Sequence, residues 1–267
     1  MIYWLLFVFG LLVGSFLNVI IYRETHEDEA KHSFLPSWAI GRSRCPKCKH
    51  QLAWFDNIPL LSFLILKGKC RYCQQKISYQ YPFIELITGL EFVWVYWLLS
   101  RLAFFKQMEG FFSLGVLGFW LIIFSLSIIL SWIDIKKQIL PDSILIPAII
   151  LALLRLLITG RWQFLLTAVI AASFFGFLYL ITKGKGIGFG DVKLGFFIGL
   201  VLGWWSWLLV ALFIAFLTGA FVGVILIVVR KKTLKSAVPF GPFLLLGMLI
   251  AKIWGENIWL WYLGLAR

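Results

Sequence analysis

The chain has 267 residues, 61% of them hydrophobic and only 14% charged, with a formal charge of +13 and a mean hydropathy of +0.93. A soluble core of this length does not need so much apolar surface, and long apolar runs of this kind place the chain in a membrane. The basic balance does not call for nucleic acid, which is not expected as a partner, because basic loops fix the cytoplasmic side of a membrane protein.

Residues 1–22 carry no charge before Arg23. They lack the basic start and short apolar core of a cleaved signal peptide and read as a first transmembrane helix with its N-terminus outside. Gly14, Ser15 and Asn18 interrupt its apolar surface, as small and polar residues do at helix–helix contacts in lipid. Further spans are expected near 81–101, 112–133, 143–158, 163–182, 194–208, 210–230 and 240–262. All are read as helices, because backbone groups in lipid must bond within their own segment. Residues 194–230 are too long for one span, and Gly203-Trp204-Trp205-Ser206 supplies a turn inside them. Trp162, Trp204, Trp205, Trp207, Trp259 and Trp261 fit an interfacial belt on one side. The expected fold is thus an all-α polytopic membrane protein with about eight transmembrane helices and a small cytoplasmic four-cysteine module resembling a zinc ribbon.

Apart from Arg101, Lys106, Arg155, Arg161, Lys252 and Arg267, every Lys and Arg falls in segments 23–80, 134–142, 183–193 or 230–239. The positive-inside rule puts those four segments in the cytoplasm. Segment 23–80 opens with a mixed-charge patch, Glu24 to Lys31, which reads as a solvated linker. The same segment holds all four cysteines, Cys45-Pro-Lys-Cys48 and Cys70-Arg-Tyr-Cys73, with 21 residues between the pairs. Each C-x2-C turn puts two thiolates on one side of a knuckle, and two knuckles make a closed tetrahedral zinc site. Reducing cytoplasm disfavours disulfides. A segment this short has little core, so metal would supply much of its folding energy. Such a site has no open position for substrate.

Asp134 and Asp191 sit at the mouths of long apolar runs, where an ionisable group is a functional-site hypothesis. A lone Asp at a helix end is more often a cap, and Asp142 after Pro141 reads as one. Asp134 ends the run Leu121 to Ile133, with nothing nearby in sequence that needs a cap. Asp191 follows Gly184, Gly186, Gly188 and Gly190, which suit either a close backbone approach or a plain linker. The phosphate-loop reading fails, since no strand precedes these glycines and no Lys-Ser/Thr follows. Were the two carboxylates to meet, they would share a proton, and one would serve as base and the other as acid on a water attacking a peptide carbonyl. Two other readings use some of the same residues: a proton-coupled transporter with Asp134 and Asp191 in its relay, and a zinc-anchored scaffold of a secretion machine.

The chain resembles the bacterial type IV prepilin peptidases, the leader peptidases and N-methyltransferases among the GxGD aspartic proteases. The likeness runs through Gly14-Ser-Phe-Leu-Asn18-Val, Arg23, Arg42-Ser-Arg-Cys45-Pro-Lys-Cys48, Trp54-Phe-Asp56-Asn57-Ile-Pro59 and Leu66-Lys-Gly-Lys-Cys70-Arg-Tyr-Cys73. It continues through Tyr81-Pro82-Phe-Ile-Glu85, Asp134 with Pro141-Asp142, Gly188-Phe-Gly190-Asp191-Val-Lys193 and Pro239-Phe-Gly-Pro242-Phe. Gln80 departs from the pattern, where an Arg commonly precedes the Tyr-Pro pair. The resemblance implies cleavage of prepilin or pseudopilin leaders after a glycine, on the cytoplasmic side of the inner membrane, with Asp134 and Asp191 catalytic. Gly188, Gly190, Lys193 and Asp142 would support them. It also implies methylation of the new N-terminal amine from S-adenosylmethionine, associated with segment 23–80 and distinct from a peptidase domain over 81–267. Trp54, Asp56 and Asn57 combine aromatic faces with polar groups, as a cationic sulfonium site requires, or else they pack the zinc module against the membrane.

Overall fold

The computed structural model describes residues 1–26, 43–101, 111–229 and 238–265, with side chains from 113 onward in the third stretch. Most of the patch from Glu24 to Lys31 lies outside the described residues, as do Arg42, Lys106, Arg230, Lys231, Lys232, Lys235 and Arg267. The helices are α1 (Ile2–Thr25), α2 (Leu61–Ile65), α3 (Gln80–Arg101), α4 (Phe111–Lys137), α5 (Asp142–Thr159), α6 (Gln163–Thr182), α7 (Phe189–Leu202), α8 (Trp205–Val228) and α9 (Gly241–Leu265). Among the described residues there is no strand, only isolated bridges at Arg44–Gln51 and Lys69–Lys76.

Seven helices, α1, α3, α4, α5, α6, α8 and α9, are long and apolar enough to cross a membrane, and the protein is a multi-pass helical membrane protein. The span expected at 194–208 is instead α7, which has 14 residues. At 1.5 Å per residue it is about 21 Å long, short of the roughly 30 Å of hydrocarbon. It starts at Phe189 because Gly188 caps it and the Asp191 carboxylate accepts the Gly188 N–H at 3.0 Å. It ends at Gly203, whose φ of +77° suits glycine. Gly190, Asp191 and Lys193 therefore belong to the first turns of a helix rather than to a loop.

The chain forms two compact units, Met1–Ile129 and Leu130–Arg267, with the boundary inside α4. In the first, α1 packs on α3 through small residues. A methyl at Gly10 would lie 2.8 Å from Gly89 Cα, and one at Gly14 would lie 2.7 Å from Glu85 Cα, so only glycine allows the approach. Asn18, 1% exposed, donates to the Tyr81 carbonyl at 3.1 Å and closes the same seam.

In the second unit α7 is the central element. Its buried face runs from Leu194 to Leu202 and packs against α6, where a methyl at Gly199 would overlap the Ala168 backbone. Helices α5, α8 and α9 also contact it. A methyl at Gly247 of α9 would likewise overlap the Ala211 carbonyl of α8. Close backbone approach replaces the hydrophobic drive that lipid cannot supply.

Candidate active site and four-thiol module

Asp134 lies in the last turn of α4 and is 5% exposed. The chain then turns at Gln138, whose N–H returns to the Asp134 carbonyl at 2.8 Å. The Asp134 side chain reaches the start of a distant helix, where the Gly241 N–H donates to its Oδ2 at 2.9 Å across 107 positions of sequence. Asp134 thus caps α9 from afar, since the first amides of a helix have no partner of their own. A methyl at Gly241 would stand 2.7 Å from that oxygen.

Asp191 is arranged in the same way. Its Oδ2 holds the Gly188 N–H at the start of α7, and the charge of Asp191 acts on Asp134. Leu140 joins the two settings, because methyls at Gly190 and Gly241 would meet its side chain at 3.2 and 3.4 Å. Two helix N-termini, of α7 and α9, therefore converge on a pair of carboxylates, and each presents the positive end of its dipole. Among the described residues, Oδ1 of neither aspartate takes a hydrogen bond. This pair can hold a water and exchange protons with it.

Asp142 opens α5, as expected, but it is not the cap; Pro141 occupies that position and the Asp142 carboxylate takes Lys193 Nζ at 2.6 and 2.7 Å. Lys193 also lies over the Phe189 ring, 5.3 Å from its centroid. The pair ties the start of α5 to the first turns of α7, and so frames the 138–141 turn. It is solvent-accessible, and such pairs contribute about 0–1 kcal/mol.

The four cysteines come together, with all Sγ atoms within 4.8 Å of one another and Cys45 3.9 Å from Cys73. Tetrahedral zinc with sulfur at about 2.3 Å puts thiolates roughly 3.8 Å apart, so the four thiols can hold one metal ion without a fifth donor. The knuckles share one wiring. Cys45 N donates to His50 O as Cys70 N donates to Gln75 O, and Lys49 N returns to Cys45 O as Gln74 N returns to Cys70 O. Lys49 and Gln74 even have the same φ of 58°. The sequence does not announce this local two-fold repeat, because no glycine marks either left-handed position. Backbone amides of Cys48 and Lys47 lower the Cys45 thiol to about 7 against the opposing effect of burial.

Asp56 sits in a 3-10 turn, Trp54–Asn57, with only 3% of its side chain exposed. It accepts from Ala53 N at 3.2 Å, Arg71 Nε at 2.9 Å and Tyr72 Oη at 3.3 Å, which clamps the turn to the second knuckle. Its neighbour Trp54 is 79% exposed. Glu85, quoted above only as part of a motif, holds the Leu60 N–H at 2.9 Å and fastens the module to the first turns of α3. Gly241 and Glu85 act through bonds between a backbone amide and a distant carboxylate, and Leu140 through side-chain contacts, none of which a sequence period marks. Pro242, beside Gly241, is the one readable sign that a helix begins there.

Residues 8–99 match the bacterial peptidase A24 N-terminal domain, and residues 121–224 match the type IV leader peptidase family. The chain is 36% identical to the prepilin leader peptidase/N-methyltransferase of Aeromonas hydrophila, with 97% of this chain and 93% of that protein covered. It is 33% identical to the protein of the same name from Legionella pneumophila, with 96% and 93% covered. That from Stutzerimonas stutzeri is also 33% identical, with 97% and 93% covered. No solved structure matches. A helical membrane body with paired carboxylates at two helix starts, likeness to these enzymes along almost its whole length and both halves matched by their domain families leave one assignment: the chain belongs to the type IV leader peptidase family.

Proposed function

We propose that this enzyme removes the leader of prepilins or pseudopilins and methylates the new N-terminal amine, from the cytoplasmic face of a bacterial inner membrane. The observation that carries the peptidase half is the pairing of Asp134 and Asp191, each held through Oδ2 by a helix-start amide. One carboxylate takes a proton from the attacking water, and its protonated partner donates to the leaving amine. The helix ends of α7 and α9 favour the negative charge that develops beside them. Gly188 and Gly190 shape the approach, while Lys193 and Asp142 brace it.

The cytoplasmic side is inferred from the basic segments 134–142 and 183–193 that flank the dyad. Segment 23–80 acts as a separate module from the spans after residue 81, with zinc on Cys45, Cys48, Cys70 and Cys73 holding it folded. Zinc there is structural, since its four thiolates close the tetrahedron. S-adenosylmethionine supplies the methyl group. Trp54 and Asn57 are candidates for its pocket, whereas the Asp56 carboxylate already makes three bonds inside the module. The transporter reading gives that module no role and draws no support from the relatives above.

The test is incubation of purified protein with a prepilin-type substrate, with and without S-adenosylmethionine, followed by mass spectrometry of the product. The reading requires a leaderless product after a glycine, and a further 14 Da, the mass of one methylene, only with the methyl donor. An intact substrate under both conditions would sink it.

A further inference from the structure

The thiol module carries apolar side chains that its own fold leaves uncovered. In the short helix α2, Leu61, Leu64 and Ile65 are 51, 70 and 66% exposed. Spaced i, i+3 and i+4, they share one face. Phe63 turns the other way. Its ring lies 5.7 Å from that of Tyr79, and a methyl on Gly68 would stand 3.2 Å from it. One large side chain thus holds α2 to the module, and three face outward. Side chains like these are covered by lipid along a membrane span, but a module standing in water would leave them as a contiguous apolar patch.

The position of α2 decides what covers this face. Leu60, its N-cap residue, donates its N–H to Glu85 Oε2 at 2.9 Å. Glu85 lies roughly 8 Å along α3 from Gln80, where that helix begins. Helix α3 is long and apolar enough to cross a membrane, and around Glu85 its outward side chains are already apolar, with Leu86 and Ile87 exposed. A carboxylate side chain reaches only a few ångströms, so α2 starts level with the first turns of a span and not above it. The intervening chain supplies matching charge. From residue 57 to 84 there is no Asp or Glu, while Lys67, Lys69 and Lys76 are exposed. The flanking acids, Asp56 and Glu85, are engaged within the first unit. An apolar face with cations beside it, at this depth, suits the headgroup layer of an anionic bilayer. A soluble partner would have to displace lipid to reach it.

We propose that α2 docks the thiol module on the lipid surface: Leu61, Leu64 and Ile65 enter the leaflet in which α3 begins, and Lys67, Lys69 and Lys76 meet its anionic headgroups. Photocrosslinking in the full chain, reconstituted in nanodiscs of equal phosphatidylglycerol and phosphatidylcholine, tests this. Leu64 and, separately, Ile65 are replaced by p-benzoylphenylalanine, both at exposed positions that tolerate a larger ring. After irradiation, mass spectrometry of the peptide carrying the probe should show intact lipid attached in both variants. The phosphatidylglycerol adduct should exceed the phosphatidylcholine adduct about fivefold, the effect of roughly one lysine beside the lipid. Adding Lys67→Gln, Lys69→Gln and Lys76→Gln together should bring that ratio to within about twofold of unity, while total lipid attachment persists through the apolar face. No lipid adduct at either position, crosslinks to a second copy in place of lipid, or an adduct ratio that the lysine variant leaves unchanged would each overturn the proposal.

Discussion

Asn in place of Asp134 or Asp191 can still accept the N–H of Gly241 or Gly188, so the helix starts stay capped while the acid–base function is lost. Asp134→Asn and Asp191→Asn should each reduce leader cleavage by about 10³-fold or more, with thermal stability little changed. Residual cleavage within about tenfold of wild type would contradict the dyad. Gly241→Ala is a sharper probe of geometry, because the new methyl would stand 2.7 Å from Asp134 Oδ2. Displacement of that carboxylate should cost cleavage about 10²-fold, even though no catalytic atom is removed. Asp142→Asn breaks only an exposed pair with Lys193 and should stay within about threefold of wild type. Both aspartates stand out in the sequence because charge is costly beside long apolar runs. Gly241 does not, because a backbone amide has no side chain to betray it and its partner is 107 positions away.

Among the elements, the knuckles and the glycine seams can be tested separately. Cys48→Ser removes one of four thiolates, and elemental analysis should show metal falling from about one zinc per chain to a small fraction of that. A fully active wild-type preparation without metal would argue against the structural role. Gly14→Val instead forces α1 away from Glu85 and should cost about 1–3 kcal/mol, seen as a lower midpoint in thermal unfolding, with metal content unchanged. The C-x2-C pairs and the long spans are readable from spacing and length alone. The bounds of α7 are not. Alternating glycines suggest a loop over 183–193, yet the carboxylate of Asp191 satisfies the Gly188 amide, and the helix begins earlier than apolar content implies. Asp142 misleads in the opposite sense, since a cation on another helix draws its carboxylate away from the cap.

The enzyme as a unit carries two chemistries that substitutions should separate. Trp54→Ala and Asn57→Ala alter the exposed turn of the thiol module and leave the dyad untouched. Methyl transfer should drop at least tenfold in a double assay, with cleavage within about twofold. Equal loss of both would make the turn purely structural, and Asp56→Ala, which unclamps the second knuckle, should show what that looks like by losing metal as well. The long spans are legible from their apolar runs, although 194–208 reads as an eighth where seven helices are long enough to cross, and the meeting of α4, α7 and α9 is not, because a side chain makes it with a backbone amide 107 positions away. That meeting point has a further consequence. Both aspartates lie near helix ends, Asp134 in the last turn of α4 and Asp191 in the first turn of α7, and not halfway along a span. A helical peptide bond is closed to attack, and unwinding one in hydrocarbon strands its amides. A substrate cut at the boundary can keep its apolar stretch helical and surrender only its extended, hydrated tail, so scission needs no unfolding inside the bilayer.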